Sequence, residues 1–160
     1  MNETSQMSVM IVDDDKAVRS SLVDLMEAAG WRVEALARAE KAVERLAEAR
    51  PDVIVSDVRM PGMSGLDLLA TLDPNGSPPL VLISAHGDIP MAVQAMRDGA
   101  YSFVEKPYEP RRLINILTHA AEQSRMKESN ARLKARLLRL SGLDRVLLGR
   151  SEPIEALRRG

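Results

Sequence analysis

The chain has 160 residues, 28% of them charged, with a formal net charge of -1 and no cysteine. Its length supports one ordinary core plus an extension, its mixed charge argues against a polyanion-binding surface, and the missing thiols exclude disulfides, thiolate metal sites and a cysteine nucleophile. The opening MNETSQMS has no basic segment leading into a long apolar stretch, and no apolar run is long enough to span a bilayer, so a soluble cytoplasmic protein without a membrane partner is expected.

Residues 9–12 read as a buried strand. Val18, Leu22, Leu25, Met26 and Ala29 then share one helical face that stops at Gly30, a residue suited to the position just past a helix end. Residues 31–36 form the second strand, and the helix carrying Val43, Leu46 and Ala47 must end near Pro51. The alternation continues with a strand at 53–55 and a helix around Leu66, Leu68, Leu69 and Leu72. A strand at 80–83 precedes a helix around Ala92, Val93 and Met96, and a strand at 102–104 precedes a last helix after Pro110. Apolar strands joined by helical crossovers predict a parallel sheet covered on both faces. The last helical pattern runs on to Gly142, too far for one helix on a compact sheet.

In an open parallel sheet, functional groups gather beyond the carboxyl ends of the strands. The first strand runs into Asp13-Asp14-Asp15, the third ends at Ser56-Asp57, the fourth at Ser84-Ala85, and Lys106-Pro107 follows the fifth. Carboxylates packed together beside an apolar core repel unless something offsets the cost. Oxygen ligands at this density suit Mg²⁺, which takes one or two carboxylates, keeps several waters and bridges to phosphate. Lys106 and Ser84 then serve as donors to phosphoryl oxygens. Asp15, directly before the first helix, is set apart as a helix cap. His86 and His119 are not expected to ligate metal, and Met60-Pro61-Gly62 reads as a turn.

The motifs IVDDDKAVR, SDVRMPGMSG, LISAHGD and FVEKP, in this order and at these spacings, resemble the receiver domain of two-component response regulators over about residues 7–123. The resemblance implies a flavodoxin-like α/β fold, a doubly wound five-stranded parallel sheet of order 2-1-3-4-5. It implies Asp57 as acceptor of a phosphoryl group from a sensor histidine kinase. It further implies Mg²⁺ held directly by Asp14 and Asp57, through water by Asp13, and by the backbone carbonyl of Arg59. Ser84 and Lys106 match the phosphate-contacting hydroxyl and lysine, and Phe103 matches the aromatic position that turns inward as Ser84 moves, so Ser84 and Phe103 form the implied switch. The Lys106-Pro107 bond is expected to be cis. By the same resemblance, Arg59 and His86 match places that in the family influence attack of water on the acyl phosphate.

The stretch from Ser84 to Ala95, GAYSF, and the tail VLLGRSEPIEAL are most similar to NtrC-like activators of sigma-54 RNA polymerase, and among these to C4-dicarboxylate transport regulators. This implies a receiver domain at 1–123, a coiled-coil linker helix at 124–142, and at 143–160 the truncated start of an AAA+ ATPase domain. No GxxxxGK[ST] phosphate loop occurs, so the segment is expected to be a phosphoryl-accepting switch and not an enzyme. Counting Ile116 as an a position, the a/d series Ile116, His119, Gln123, Met126, Asn130, Leu133, Leu137 and Leu140 improves from Met126 onward. A homodimer through the linker helix and the receiver faces is expected. The full-length protein is expected to bind DNA and sigma-54 polymerase, and this segment is not. Two rivals stand beside this reading: a stand-alone receiver that acts by docking, and a haloacid-dehalogenase-type phosphatase using Asp13 and Asp15 as its DxD pair. Against the second, Ala17 stands where that family usually has Thr or Val, and its remaining motifs need a larger chain.

Overall fold

A computed structural model describes residues 6–73, 76–85 and 89–141. Among them, five strands alternate with five helices: β1 (Ser8–Val12), α1 (Lys16–Ala28), β2 (Arg32–Leu36), α2 (Ala39–Ala49), β3 (Val53–Asp57), α3 (Gly65–Thr71), β4 (Leu80–Ser84), α4 (Ile89–Arg97), β5 (Ser102–Glu105) and α5 (Pro110–Ser141). The strands pair in parallel in the order β2-β1-β3-β4-β5, the flavodoxin-like arrangement expected.

The strands are apolar on both faces because both are covered. Val9, Ile11, Val53, Val55, Val81, Ile83 and Val104 share a buried cluster with Leu22 and Met26 of α1 and Leu113 and Leu117 of α5. The alternate residues Met10, Val12, Ile54, Leu80 and Leu82 share a second cluster with Ala39 and Ala42 of α2, Leu68 and Leu69 of α3, and Ala95 of α4.

Local chemistry sets the helix ends. The Asp15 carboxylate accepts from the N–H groups of Ala17 and Val18 at 2.9 and 3.2 Å, the capping role expected of it. Gly30 adopts φ +91 just after α1. Trp31 does not begin β2 as its side chain suggests: its N–H closes onto the Met26 carbonyl at 3.0 Å, and the buried indole packs with α1. In α4, Val93 and Met96, which mark the helical period, are exposed together with Ile89, and the small Ala95 makes the close approach to the sheet.

At the start of α3, a Cβ on Gly65 would lie 2.5 Å from the Asp57 carbonyl oxygen and 2.8 Å from Leu82 Cδ2. Backbone cannot move aside cheaply at the end of a central strand, so Gly65→Ala is expected to destabilise the fold by about 1–3 kcal/mol. Urea unfolding checks this, and a variant as stable as the wild type would contradict it.

α5 is 32 residues long, the extended C-terminal helix expected. Packing separates the chain after Ser124 into two units, Met1–Ser124 and Arg125–Gly160. In the first, Leu113, Leu117, Ala120 and Ala121 form one apolar stripe in the core. In the second, every side chain described from Met126 to Leu138 is exposed, including Leu133, Leu137 and Leu138. The tail expected to open an ATPase domain, 143–160, lies outside the described residues, as does His86. Among the described residues no helix is long and apolar enough to cross a membrane.

Candidate functional site

Parallel register brings the strand ends to one edge: Val12 lies opposite Ser56, Asp57 opposite Ile83, and Ser84 opposite Glu105. Asp13 extends the β1 ladder by one bond, its N–H reaching the Leu36 carbonyl at 3.1 Å. Its side chain is buried, with Asp13 2% exposed, and Oδ1 accepts the Asp15 N–H at 2.9 Å. Asp14 is exposed and Asp57 half-buried. One carboxylate oxygen from each of Asp13, Asp14 and Asp57 lies within 4.8 Å of the others. Three carboxylate oxygens gathered this closely make a set that Asp13, Asp14 and Asp57 could offer to a hard divalent cation such as Mg²⁺.

Burial raises the pKa of the Asp57 carboxyl above its ordinary value; Lys106 and the backbone N–H groups of Val58 and Arg59 pull it back, and Asp14 pushes it up again. Asp13 is likewise raised, first by burial, with the Asp15 N–H and Lys106 opposing and Asp57 and Asp14 adding repulsion. Lys106 alone does not compensate these carboxylates. A hard divalent cation fits an all-oxygen, electron-rich set of this kind.

A raised carboxyl pKa means that the folded state favours the protonated form. The associated stability is present below the ordinary carboxylate range and is lost as pH rises through the raised values, so at neutral pH these charges cost stability. Asp13→Asn keeps the oxygen that accepts the Asp15 N–H but removes a charge. It is therefore expected to raise the thermal midpoint near pH 7 in the presence of a chelator, with a smaller gain near pH 4, while Mg²⁺ stabilises the wild type more than the variant. Melting curves at the two pH values, with chelator and with Mg²⁺, decide the matter; a lower midpoint for Asp13→Asn in chelator contradicts it.

Ser84 ends β4 and is 1% exposed. Its carbonyl accepts the Lys106 N–H at 2.8 Å, which ties the hydroxyl-bearing residue to the lysine-bearing loop, and its Oγ lies 3.4 Å from the Ala85 carbonyl. The Lys106-Pro107 bond is cis. Phe103 lies opposite Leu82 and packs, half-buried, on the cluster that includes Ala95 and Met91 of α4. The exposed Arg59 guanidinium approaches Met91 Sδ at 3.5 Å. The Asp15 carboxylate is committed to capping α1 and is not in the acidic cluster. His119 is exposed on α5 and is not in the cluster either.

Three further interactions were not legible in the sequence. Arg19 Nη1 donates to the Asp13 carbonyl at 2.8 Å. Glu40 on α2 accepts the Met63 N–H at 3.2 Å, beside Gly62 at φ +74, where a Cβ would come 2.6 Å from Glu40 Oε2. The Tyr108 phenol is raised by burial and then by the charge of Asp13. The spacing of Arg19 from the aspartates was visible as a pattern, but its backward reach depends on where α1 begins.

The family model described as the response regulator receiver domain matches residues 9–118. The chain is 38% identical over 154 residues to the C4-dicarboxylate transport transcriptional regulatory protein DctD of Rhizobium meliloti, covering 94% of this chain and 33% of that protein, so it spans about a third of that relative. It is 38% identical over 146 residues to the transcriptional regulatory protein FixJ of Rhizobium meliloti, covering 88% of this chain and 72% of the relative. Among solved structures, full-length FixJ from B. japonicum superposes with a TM-score of 0.69 at 39% identity, covering 74% of this chain and 59% of that one. With the sheet order and the acidic edge in place, these likenesses carry one conclusion: the chain belongs to the response regulator receiver domain family.

Proposed function

We propose that this chain is the phosphoryl-accepting switch of a two-component system, with Asp57 taking a phosphoryl group from a sensor histidine kinase. The observation that carries the reading is the convergence of Asp13, Asp14 and Asp57, one oxygen of each within 4.8 Å of the others, on the edge where Lys106 is hydrogen-bonded to Ser84. Asp14 and Asp57 would hold Mg²⁺ directly, Asp13 through water, and the Arg59 backbone carbonyl would add a further ligand. Bound there, Mg²⁺ supplies positive charge that lets an anionic phosphoryl group approach carboxylates.

The chain's own residues do the rest. An Asp57 oxygen attacks phosphorus, an acyl-phosphate P–O bond forms, and the P–N bond to the kinase imidazole breaks with its electron pair left on nitrogen. Lys106 pairs with the new charge. The Ser84 hydroxyl shifts to donate to a phosphoryl oxygen, and Phe103 turns toward the space it leaves, so a local charge is converted into a new packing of β4, β5 and α4. No turnover is involved: the chain is a switch and not an enzyme.

In the larger protein we assign residues 1–123 to the receiver, 124–142 to a coiled-coil linker and 143–160 to the start of an AAA+ ATPase domain. By the resemblance to NtrC-like activators of sigma-54 RNA polymerase, and with a C4-dicarboxylate transport transcriptional regulatory protein among its relatives, the whole protein would be a cytoplasmic, dimeric sigma-54-dependent activator that binds DNA. The test is to incubate the chain with a small acyl-phosphate donor, with Mg²⁺ or with chelator, and measure intact mass. One phosphoryl adduct per chain that requires Mg²⁺ is expected. Multiple turnover of a phosphate ester without an adduct would favour a phosphatase, and an adduct indifferent to chelation would remove the metal from the mechanism.

A further inference from the structure

We propose that Arg19 is a positioning residue for the acidic site: by holding the Asp13 carbonyl it sets the direction in which Asp13 and Asp14 present their carboxylates. The inference rests on the metal-binding reading above and concerns a residue outside the ligand set.

Asp13 lies one residue beyond β1, where the chain leaves the sheet and turns into α1. It is nevertheless held at three points, two on its peptide groups and one on its side chain. The N–H donates to the Leu36 carbonyl of β2 at 3.1 Å, Oδ1 accepts the Asp15 N–H at 2.9 Å, and the carbonyl accepts Arg19 Nη1 at 2.8 Å. That carbonyl belongs to the peptide unit joining Asp13 to Asp14, so its orientation fixes ψ of Asp13 and the plane from which Asp14 departs. The donor comes from α1 and not from the sheet. Arg19 in turn is placed by the helix, its own N–H bonding the Asp15 carbonyl at 2.9 Å while the Asp15 carboxylate caps the first turn. The segment from Asp13 to Arg19 therefore closes on itself.

The residue type matters. A guanidinium donates through a rigid planar fork and is always charged, so its bond to a carbonyl is both directed and charge-assisted. The positioning role and the bare charge of Arg19 predict opposite signs for metal binding. Removing a nearby positive charge alone tightens binding of a divalent cation; releasing the Asp13-Asp14 peptide weakens it.

Calorimetric titration of the full chain with Mg²⁺ tests this, using wild type, Arg19→Gln, Arg19→Lys and Asp14→Asn, with thermal midpoints for each. Arg19→Gln is expected to weaken Mg²⁺ binding about tenfold, the loss typical when a group orienting a ligand is removed, and Arg19→Lys to recover part of it. Unchanged or tighter binding by folded Arg19→Gln, with normal wild-type binding abolished in Asp14→Asn, overturns the positioning role and leaves the metal reading intact. A wild type that shows no saturable binding overturns both. Should Arg19→Gln fail to fold, the wild-type guanidinium nitrogen resonances, assigned with Arg19→Lys, decide. Resolved signals that shift on Mg²⁺ addition support the role; averaged signals indifferent to Mg²⁺ overturn it.

Discussion

Asp57→Asn is expected to abolish uptake of a phosphoryl group from a small acyl phosphate while leaving the chain folded. An amide oxygen is not a competent nucleophile toward phosphorus, and the neighbouring carboxylates are poorly placed to substitute. Asp13 is buried with an oxygen committed to the Asp15 N–H, and Asp14 is exposed, whereas the backbone N–H groups of Val58 and Arg59 bear on Asp57. Stability should not suffer, because burial and the charge of Asp14 both disfavour an ionised Asp57. Intact mass after incubation with donor and Mg²⁺ gives the result, and an undiminished adduct in the variant would place the acceptor elsewhere. Lys106→Ala separates acceptance from signalling. Losing one cation aimed at the phosphoryl oxygens is expected to slow uptake by about a hundredfold. The adduct that forms should fail to shift the amide resonances of β4, β5 and α4 that move in the wild type.

Sedimentation of the wild-type chain, of a version ending at Gln123, and of the double variant Leu133→Asp with Leu137→Asp is expected to give a dimer, a monomer and a monomer. Met126, Leu133 and Leu137 are exposed on α5 and fall on the heptad seam expected from the sequence, with Asn130 at an a position, a device that favours a two-stranded parallel register at some cost in stability. Lys127, Glu128, Arg132, Lys134 and Arg136 avoid that seam. Burying a leucine is worth about 1.5–3 kcal/mol, so losing two on each helix removes about 6–12 kcal/mol, comparable with the whole of a micromolar dimer at about 8 kcal/mol. Paired helices would hold two receivers side by side, where repacking on phosphorylation could change the geometry passed onward. Three monomers, or three dimers, would remove the helix from the role of dimerisation element.

Element order was legible because it rests on local chemistry. Continuous apolar runs mark strands covered on both faces, Gly30 and Pro51 stop helices through backbone geometry alone, and Asp15 caps α1 through bonds to residues two and three positions away. The aspartates could be assigned to one edge for a related reason: in a parallel sheet all strands end on the same side, so residues that follow strands must meet there. The exposed apolar face of α4 was not legible, since helical periodicity reports that a stripe exists and not whether anything covers it. Nor was Trp31 as a turn residue, because its indole is apolar enough for a strand while its N–H is taken by Met26.

What the sequence determined by itself is therefore the order of elements and the kinds of groups delivered to the edge. Tertiary structure alone decided their distances and supports: three carboxylates with oxygens inside 4.8 Å, Lys106 bound to the Ser84 carbonyl, Glu40 holding the Met63 loop, and Arg19 turned back onto Asp13. The physical reason is that element order follows from interactions within a few residues, whereas these contacts depend on strand register and on where each helix starts, which are settled only when the two core layers pack.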